Sequence, residues 1–196
     1  MSVVLVDAGG TNIGSVRYAL QRLGVEAALT SDAEAIRSAD KVILPGVGAA
    51  GPGMARLRER GLVDTMRSLT QPVLGVCLGM QLLCDRSEES GTECLGLIHA
   101  TVRRFVERPG LRVPHMGWNR LHRQRAHPLM DGLGDDDWAY FVHSYAAPVG
   151  EYALATTEHG GEFASVISRG NFHGMQFHPE RSGRVGSLLL KNFLDL

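Results

Sequence analysis

A chain of 196 residues with 20 basic and 21 acidic side chains, net charge -1, has no strong electrostatic means of gripping nucleic acid or an anionic membrane. Its length suits one domain with a substantial core and leaves no room for a second catalytic domain. No apolar run reaches the roughly 18 residues of a membrane span, Ser2–Val6 opens a strand rather than a signal peptide, and three cysteines, an odd number, argue for a reducing cytoplasm.

In chain order, Val3–Val6 predicts a first buried strand ending in Asp7. Ala8–Asn12 is a turn whose glycines lack the Gly-x-Gly-x-x-Gly spacing and have no Walker lysine, so it reads as a strand-to-helix loop rather than a phosphate site. Ile13–Leu23 carries helical periodicity through Ile13, Val16, Leu20 and Leu23, and Gly24 closes it. Val25–Leu29 and Lys41–Leu44 read as the second and third strands. Pro45-Gly46-Val47-Gly48-Ala49 follows at once. Its two glycines either free the backbone to present N–H groups and flip a peptide, or simply turn the strand into a helix. Helical stretches at Met54–Arg60 and Leu62–Leu69 lead to Val73–Val76, an apolar run behind Pro72 that suits a buried strand. Leu78–Cys84 has the preferences of a helix.

This alternation predicts an α/β fold with a largely parallel, two-sided central sheet and functional groups at the carboxyl ends of the strands. The texture then changes. Asp85–Gly91 is a polar loop, and β-like runs follow at Ala100–Val106, Trp118–Leu121, Trp138–His143, Tyr152–Thr156, Ala164–Ile167 and Phe172–Gln176. They predict antiparallel meanders added to the parallel sheet. Val185–Leu194 is a closing amphipathic helix. With no repeat, low-complexity stretch or linker, residues 1–196 read as a single domain.

Two stretches carry chemistry. In Gly75-Val76-Cys77-Leu78-Gly79 a strand meets a helix at a cysteine flanked by glycines two residues away on each side. That is the spacing of a nucleophile elbow with Cys in place of Ser. A tight, strained turn leaves no room for Cβ atoms beside the nucleophile, and it sets the sulfur near a helix N-terminus, where a thiol is more readily ionised. A cysteine without those glycines would read as a small buried hydrophobe. Cys84, two helical turns on, and Cys94 read as structural. No Cys-x2-Cys or His-x3-His pair suggests zinc, and no metal or cofactor is expected.

The second stretch is Gln176-Phe177-His178-Pro179-Glu180. His178 and Glu180 lie two apart across a proline, an extended spacing that aims both side chains to one side. Alone it would be weak, since surface His and Glu are common. Joined to the elbow it completes a Cys77–His178–Glu180 triad. The imidazole takes the thiol proton while the carboxylate on its other nitrogen fixes the tautomer.

At these residues the chain resembles the class I (triad) glutamine amidotransferases, and within them the branch of imidazole glycerol phosphate synthase glutaminase subunits. The cysteine and His-Pro-Glu motifs specify the class. Pro114-His115-Met116-Gly117-Trp118-Asn119 and Tyr140-Phe141-Val142-His143-Ser144-Tyr145 specify the branch, and Pro45–Gly48 and Lys191-Asn192-Phe193 match as well. The resemblance implies a three-layer, flavodoxin-like fold. It implies that Cys77 attacks the glutamine amide to form a γ-glutamyl thioester, with His178 as base and then acid and Glu180 orienting it. It assigns the oxyanion to the Leu78 backbone N–H and to the Val47–Gly48 peptide if that peptide turns inward, each donor worth on the order of 3 kcal/mol of barrier. Gly46, Gln81, Glu89, Ser144 and Tyr145 match positions that hold the glutamine substrate. Glu89 is a natural partner for the substrate ammonium or, alternatively, a solvated loop charge.

The implied partner is a separate (β/α)8-barrel cyclase in a cytoplasmic heterodimer. It would use the ammonia to make imidazole glycerol phosphate and aminoimidazole carboxamide ribotide in histidine biosynthesis. Met116, Trp118, His143 and Tyr145 read either as core or as interface anchors near the mouth. Two departures stand out. Relatives often read Asp-Tyr-Gly-x-Gly-Asn where this chain has Asp7-Ala8-Gly9-Gly10-Thr11-Asn12, and Arg181 stands where lysine is common, which would rearrange a salt bridge to the partner. Competing readings are another triad glutaminase of the pyridoxal-phosphate synthase type, a γ-glutamyl hydrolase, and a regulatory binding module without activity.

Overall fold

The computed structural model describes residues 1–8, 13–134 and 136–196. Most of the departing first turn, Gly9–Asn12, therefore lies outside the described residues. The first half of the chain alternates as its apolar runs require. It runs β1 (Val3–Val6), α1 (Ile13–Arg22), β2 (Ala27–Thr30), α2 (Ala33–Ser38), β3 (Lys41–Gly46), α3 (Ala50–Glu59), α4 (Val63–Ser68), β4 (Val73–Cys77) and α5 (Leu78–Leu82). The second half is mostly strand: β5 (Cys84–Ser87), β6 (Thr92–Glu93), β7 (Ile98–Arg104), β8 (His115–Arg120), β9 (His122–Arg123), β10 (Trp138–His143), β11 (Tyr145–Ala146), β12 (Ala153–Glu158), β13 (Glu162–Arg169) and β14 (Phe172–Met175). Helix α6 (Gly183–Asp195) closes it.

The central sheet has the order β2-β1-β3-β4-β14-β13-β12-β9. Its first five strands are parallel and the remainder antiparallel. Alternate residues of β1 serve two cores. Val4 and Val6 join Ile36, Met54, Leu57 and Met66 on one face, while Val3 and Leu5 join Val16, Leu20, Leu189 and Phe193 on the other. A strand covered on both sides has no polar face to show, which is why β1, β3 and β4 read as continuous apolar runs. The chain reverses its direction of travel across the sheet between β1 and β3, and β3 and β4 end side by side, Gly46 opposite Cys77. Such a switch point leaves a crevice at the strands' carboxyl ends.

Several expectations are corrected. Helix α2 has no counterpart among the predicted elements. It is six residues long with one buried side chain, Ile36, too short to show periodicity, and the Asp32 carboxylate caps it by accepting from the Glu34 and Ala35 N–H groups. Helix α3 starts four residues before the expected Met54, because Gly51, Pro52 and Gly53 hide its first turn from propensity. Cys84 is not two turns along a helix: α5 ends at Leu82, and Cys84 opens β5, which runs into the stretch expected as loop from Asp85. Nor do all later strands extend the main sheet. β8 and β10 form a separate two-stranded ribbon, and β11, β7, β5 and β6 a separate four-stranded sheet. Period-2 patterning marks a strand without naming its neighbour. Among the described residues no helix is long and apolar enough to cross a membrane.

Candidate active site

The elbow forms because β3, β4 and α5 pack closer than side chains allow. A Cβ on Gly75 would sit 2.6 Å from the Gly79 carbonyl and Met80 nitrogen, and one on Gly79 would overlap the Leu44 carbonyl. With the helix pressed on the strands, the chain turns within one residue. Cys77 takes φ 53°, ψ -111°, a region that side chains avoid and that costs on the order of 1–3 kcal/mol. The strain holds Sγ at the lip of a cavity of about 330 Å³ lined by Val47, Gly48, Cys77, Leu78, Gln81 and Glu89 on one side and Pro114, Val142, His143, Ser144, Tyr145 and His178 on the other. Helix α5 has only five residues, too short to bring a long helix dipole to the sulfur, which instead meets Gln176 Nε2 at 3.8 Å and the Val142 carbonyl at 4.0 Å.

His178 and Glu180 are not in an extended strand, contrary to what their spacing predicts. Pro179–Arg181 is a 3-10 turn with Pro179 at its start, and His178 caps it in an extended conformation. The pair meets all the same, Nδ1 to Oε1 at 3.0 Å, with both side chains buried. The turn is tied down from three directions. The His178 N–H donates to the Tyr140 carbonyl at 2.9 Å. The Ser182 hydroxyl donates to the His178 carbonyl at 2.7 Å. Gly186 of α6 lies so near Pro179 that a Cβ there would overlap its carbonyl. Burial presses His178 toward neutrality, but hydrogen bonds to Cys77 and Glu180 and their charges outweigh it and raise the imidazole to about 10. It therefore carries its proton at neutral pH.

Of the residues that the resemblance assigns to chemistry, oxyanion and substrate, all but Glu180 and Gly46 line the cavity. Glu180 stands behind His178 instead of at the wall. A Cβ on Gly46 would meet Leu78 Cβ at 2.9 Å, so this glycine serves the packing of α5. Gly48, at φ 95° with open space around its would-be Cβ, lets the Val47–Gly48 peptide rotate. Glu89 is no purely solvated charge: one oxygen accepts the Ala50 N–H at 2.7 Å and caps α3, leaving the other for a ligand. Gln81 commits its amide N–H groups to the Tyr145 carbonyl at 2.8 Å and Gln176 Oε1 at 3.0 Å, so what it can offer a ligand is its own acceptor oxygen.

The ribbon beside the cavity has two unlike faces. Inward lie His115, Asn119, Ala139, Phe141 and His143, and outward lie Met116, Trp118, Trp138 and Tyr140. Of these, Met116 and Trp118 are 63% and 54% exposed. The open alternatives divide accordingly: His143 is core, Tyr145 is half-buried in the cavity wall, and Met116 and Trp118 are surface. Arg181 lies exposed with its guanidinium 5.4 Å from the Tyr140 ring centroid. Sequence reasoning missed Gln176, whose Nε2 is 3.8 Å from Cys77 Sγ, and Asn119 and His115, which are hydrogen-bonded to each other at 3.1 Å. The only signal was their place inside the motifs. No group of three or more metal-ligating side chains occurs among the described residues.

Comparisons with known proteins identify the family and the fold. The family profile "Glutamine amidotransferase class-I" matches residues 4–196. "Imidazole glycerol phosphate synthase subunit HisH" of Xanthomonas axonopodis pv. citri is 53% identical over 99% of this chain and 97% of its own. The protein of the same name from Xanthomonas oryzae pv. oryzae is 54% identical over the same shares. Among solved structures, one titled "Crystal structure of glutamine amidotransferase" superposes with TM-score 0.77 at 23% identity, covering 100% of this chain and 98% of that one. A glutamine amidotransferase from Thermotoga maritima superposes with TM-score 0.66 at 16% identity, over 100% and 83%. At these identities the two structures speak for the fold alone.

Proposed function

The chain belongs to the class-I glutamine amidotransferases, and from that premise we propose that Cys77, His178 and Glu180 hydrolyse glutamine to glutamate and ammonia. Residues 1–196 act as a single domain in the cytoplasm. What carries the reading is a strained cysteine at φ 53° and His178, backed by Glu180 at 3.0 Å, facing one cavity of about 330 Å³.

Cys77 Sγ attacks the side-chain amide carbon. The oxyanion is met by the Leu78 N–H and by the Val47–Gly48 peptide once it turns inward. Collapse of the tetrahedral adduct breaks the C–N bond as His178 gives its proton to the departing nitrogen, leaving a γ-glutamyl thioester and ammonia. His178, now neutral, takes a proton from water, whose oxygen attacks the thioester. The C–S bond breaks and glutamate leaves. Glu180 holds the imidazole in one orientation throughout. The glutamine α-ammonium is met by Glu89 and the Gln81 oxygen, and its α-carboxylate by the Ser144–Tyr145 segment.

The ammonia goes to a (β/α)8-barrel cyclase that forms imidazole glycerol phosphate and aminoimidazole carboxamide ribotide. The relatives' naming as one subunit of a synthase supports a partner that takes up the ammonia. The outward face of the β8–β10 ribbon is its seat. Met116, Trp118, Trp138 and Tyr140 are the aromatic and sulfur-bearing residues enriched at interface centres. Arg181, stacked beside Tyr140, supplies a cation at the edge.

The test is glutamate release by the chain alone, with the cyclase, and with cyclase plus its ribotide ligand. Stimulation in the last two conditions is expected. Equal rates in all three would replace the two-protein reading with a stand-alone glutaminase or γ-glutamyl hydrolase. Cys77→Ala should abolish release while keeping fold and partner binding, and unchanged turnover would remove the triad.

A further inference from the structure

Gln176 follows β14 directly and is fully buried, with its backbone N–H on the Ser165 carbonyl at 2.9 Å. Its side-chain nitrogen points at Cys77 Sγ from 3.8 Å, a distance suited to an N–H donor and a sulfur acceptor. The orientation of a buried amide must be argued from its partners, because oxygen and nitrogen have the same shape. Here the partners leave one solution.

The Tyr145 carbonyl can only accept, and it takes two donors, His143 Nδ1 and Gln81 Nε2, each at 2.8 Å. Gln81 thus turns its NH2 inward, and its second proton reaches Gln176 at 3.0 Å. Gln176 must answer with Oε1, so its NH2 faces the sulfur. The other branch closes as firmly. With Nδ1 donating, a neutral His143 accepts at Nε2 from His115 Nδ1 at 3.0 Å, and His115 Nε2 then accepts from Asn119 Nδ2 at 3.1 Å. Asn119 is held by donating to the Glu158 carbonyl at 2.8 Å and accepting from the Arg120 N–H at 2.8 Å. Stacking on Phe141 and His159 keeps the His115 ring in plane with this chain. Burial holds both histidines neutral, as the chain requires: the Nε2 atoms of His143 and His115 accept only without a proton.

We propose that Gln176 is a further catalytic residue: its side-chain amide donates a hydrogen bond to Cys77 Sγ, and the Gln81–Tyr145–His143–His115–Asn119 chain keeps the amide in that orientation. The inference rests on the reading of Cys77 as the nucleophile. A donor on sulfur favours thiolate over thiol and fixes the side chain in the strained elbow, where His178 is on one side and the cavity on the other. The titratable groups around the sulfur are His178 with Glu180 behind it, His143 and Tyr145 across the cavity, and Glu89 at the far wall; the Val142 carbonyl at 4.0 Å is an acceptor on the sulfur, and the Gln176 amide is its uncharged donor.

The experiment follows iodoacetamide alkylation of the purified chain as a function of pH. Burial pushes the Cys84 thiol far up and the Cys94 thiol up to about 11, so neither ionises near neutrality, and Cys77→Ala serves as the blank that assigns the remaining alkylation to Cys77. Gln176→Met, similar in volume and without a donor, and Gln176→Glu, with acceptors in place of the NH2, should each move the alkylation midpoint up by about one pH unit and slow the reaction about tenfold at pH values below both midpoints. Thermal melting checks their fold. Gln81→Met leaves Gln176 present but unheld, and should shift the profile the same way by less. Folded Gln176 variants with the wild-type profile overturn the proposal. If neither folds, a wild-type profile in Gln81→Met overturns it. Cys77→Ala separates this from the parent reading: retained glutamate release there removes the nucleophile itself, whereas an inactive Cys77→Ala beside wild-type Gln176 profiles removes the amide donor alone.

Discussion

His178 and His143 line the same cavity, and burial presses both toward the neutral imidazole. They end in opposite states. His178 Nδ1 faces a carboxylate at 3.0 Å, and with Cys77 on its other side the ring is raised to about 10. His143 Nδ1 faces a carbonyl at 2.8 Å, and burial together with the charges of His115, His159 and His178 lowers it to about 3 despite that bond. A carboxylate supplies a full charge to stabilise the imidazolium, whereas a carbonyl supplies only a dipole. The difference leaves one ring charged beside Cys77, as the proposed reaction requires, and the other neutral within a hydrogen-bond chain.

The sharpest way to break this contrast is Glu180→Gln, which swaps the full charge for a dipole at one atom. Turnover should drop about 10²–10⁴-fold, and the His178 titration should move down from about 10 toward its ordinary 6.5. Turnover near wild type would mean that the carboxylate neither charges nor orients the ring.

Stability against pH gives the next largest effect, because the two kinds of histidine contribute with opposite sign. A ring kept neutral in the fold adds stability above pH 6.5 and loses it as pH falls toward its folded value, about 3 for His143 and about 4 for His173. A raised ring such as His178 is fully stabilising below 6.5 and loses its contribution as pH climbs to about 10. Denaturant unfolding between pH 6.5 and 4 should therefore lose about 1 kcal/mol per pH unit for each neutral histidine. A flat profile over that interval would contradict the neutral assignments.

The smallest effect should come from Trp118→Ala. Trp118 lies on the outward face of the ribbon whose inward face holds His143. Partner binding should weaken by about 1–3 kcal/mol, with the melting temperature and both histidine titrations unmoved. A shift in either titration would show that the two faces are not independent.

Much of the site was legible because its requirements are local. Gly75 meets Gly79 and Met80 only a few residues on, so the spacing announced the elbow even though Gly79 itself is pressed on Leu44 of a distant strand, and His178 and Glu180 stay close whether the chain between them is extended or a 3-10 turn. The hydrogen-bond chain behind Cys77 was not legible, since Gln81 and Gln176 are 95 residues apart and Gln81 and Tyr145 are 64 apart. Helix α3 shows the same limit: its own first residues are poor helix formers, and its cap, Glu89, comes from 39 residues away.

By itself, the sequence determined the parallel α/β core, the glycine-flanked turn at Cys77, the pairing of His178 with Glu180, and the family. Each is written as an apolar run or a short motif whose physics acts over one or two turns of chain. Tertiary structure alone decided that β8 and β10 stand apart as a two-faced ribbon, that Glu89 caps a helix while lining the cavity, and that two histidines sharing one cavity hold opposite protonation states. Those outcomes depend on which group reaches which atom across the fold, and a pattern along the chain carries no such distance.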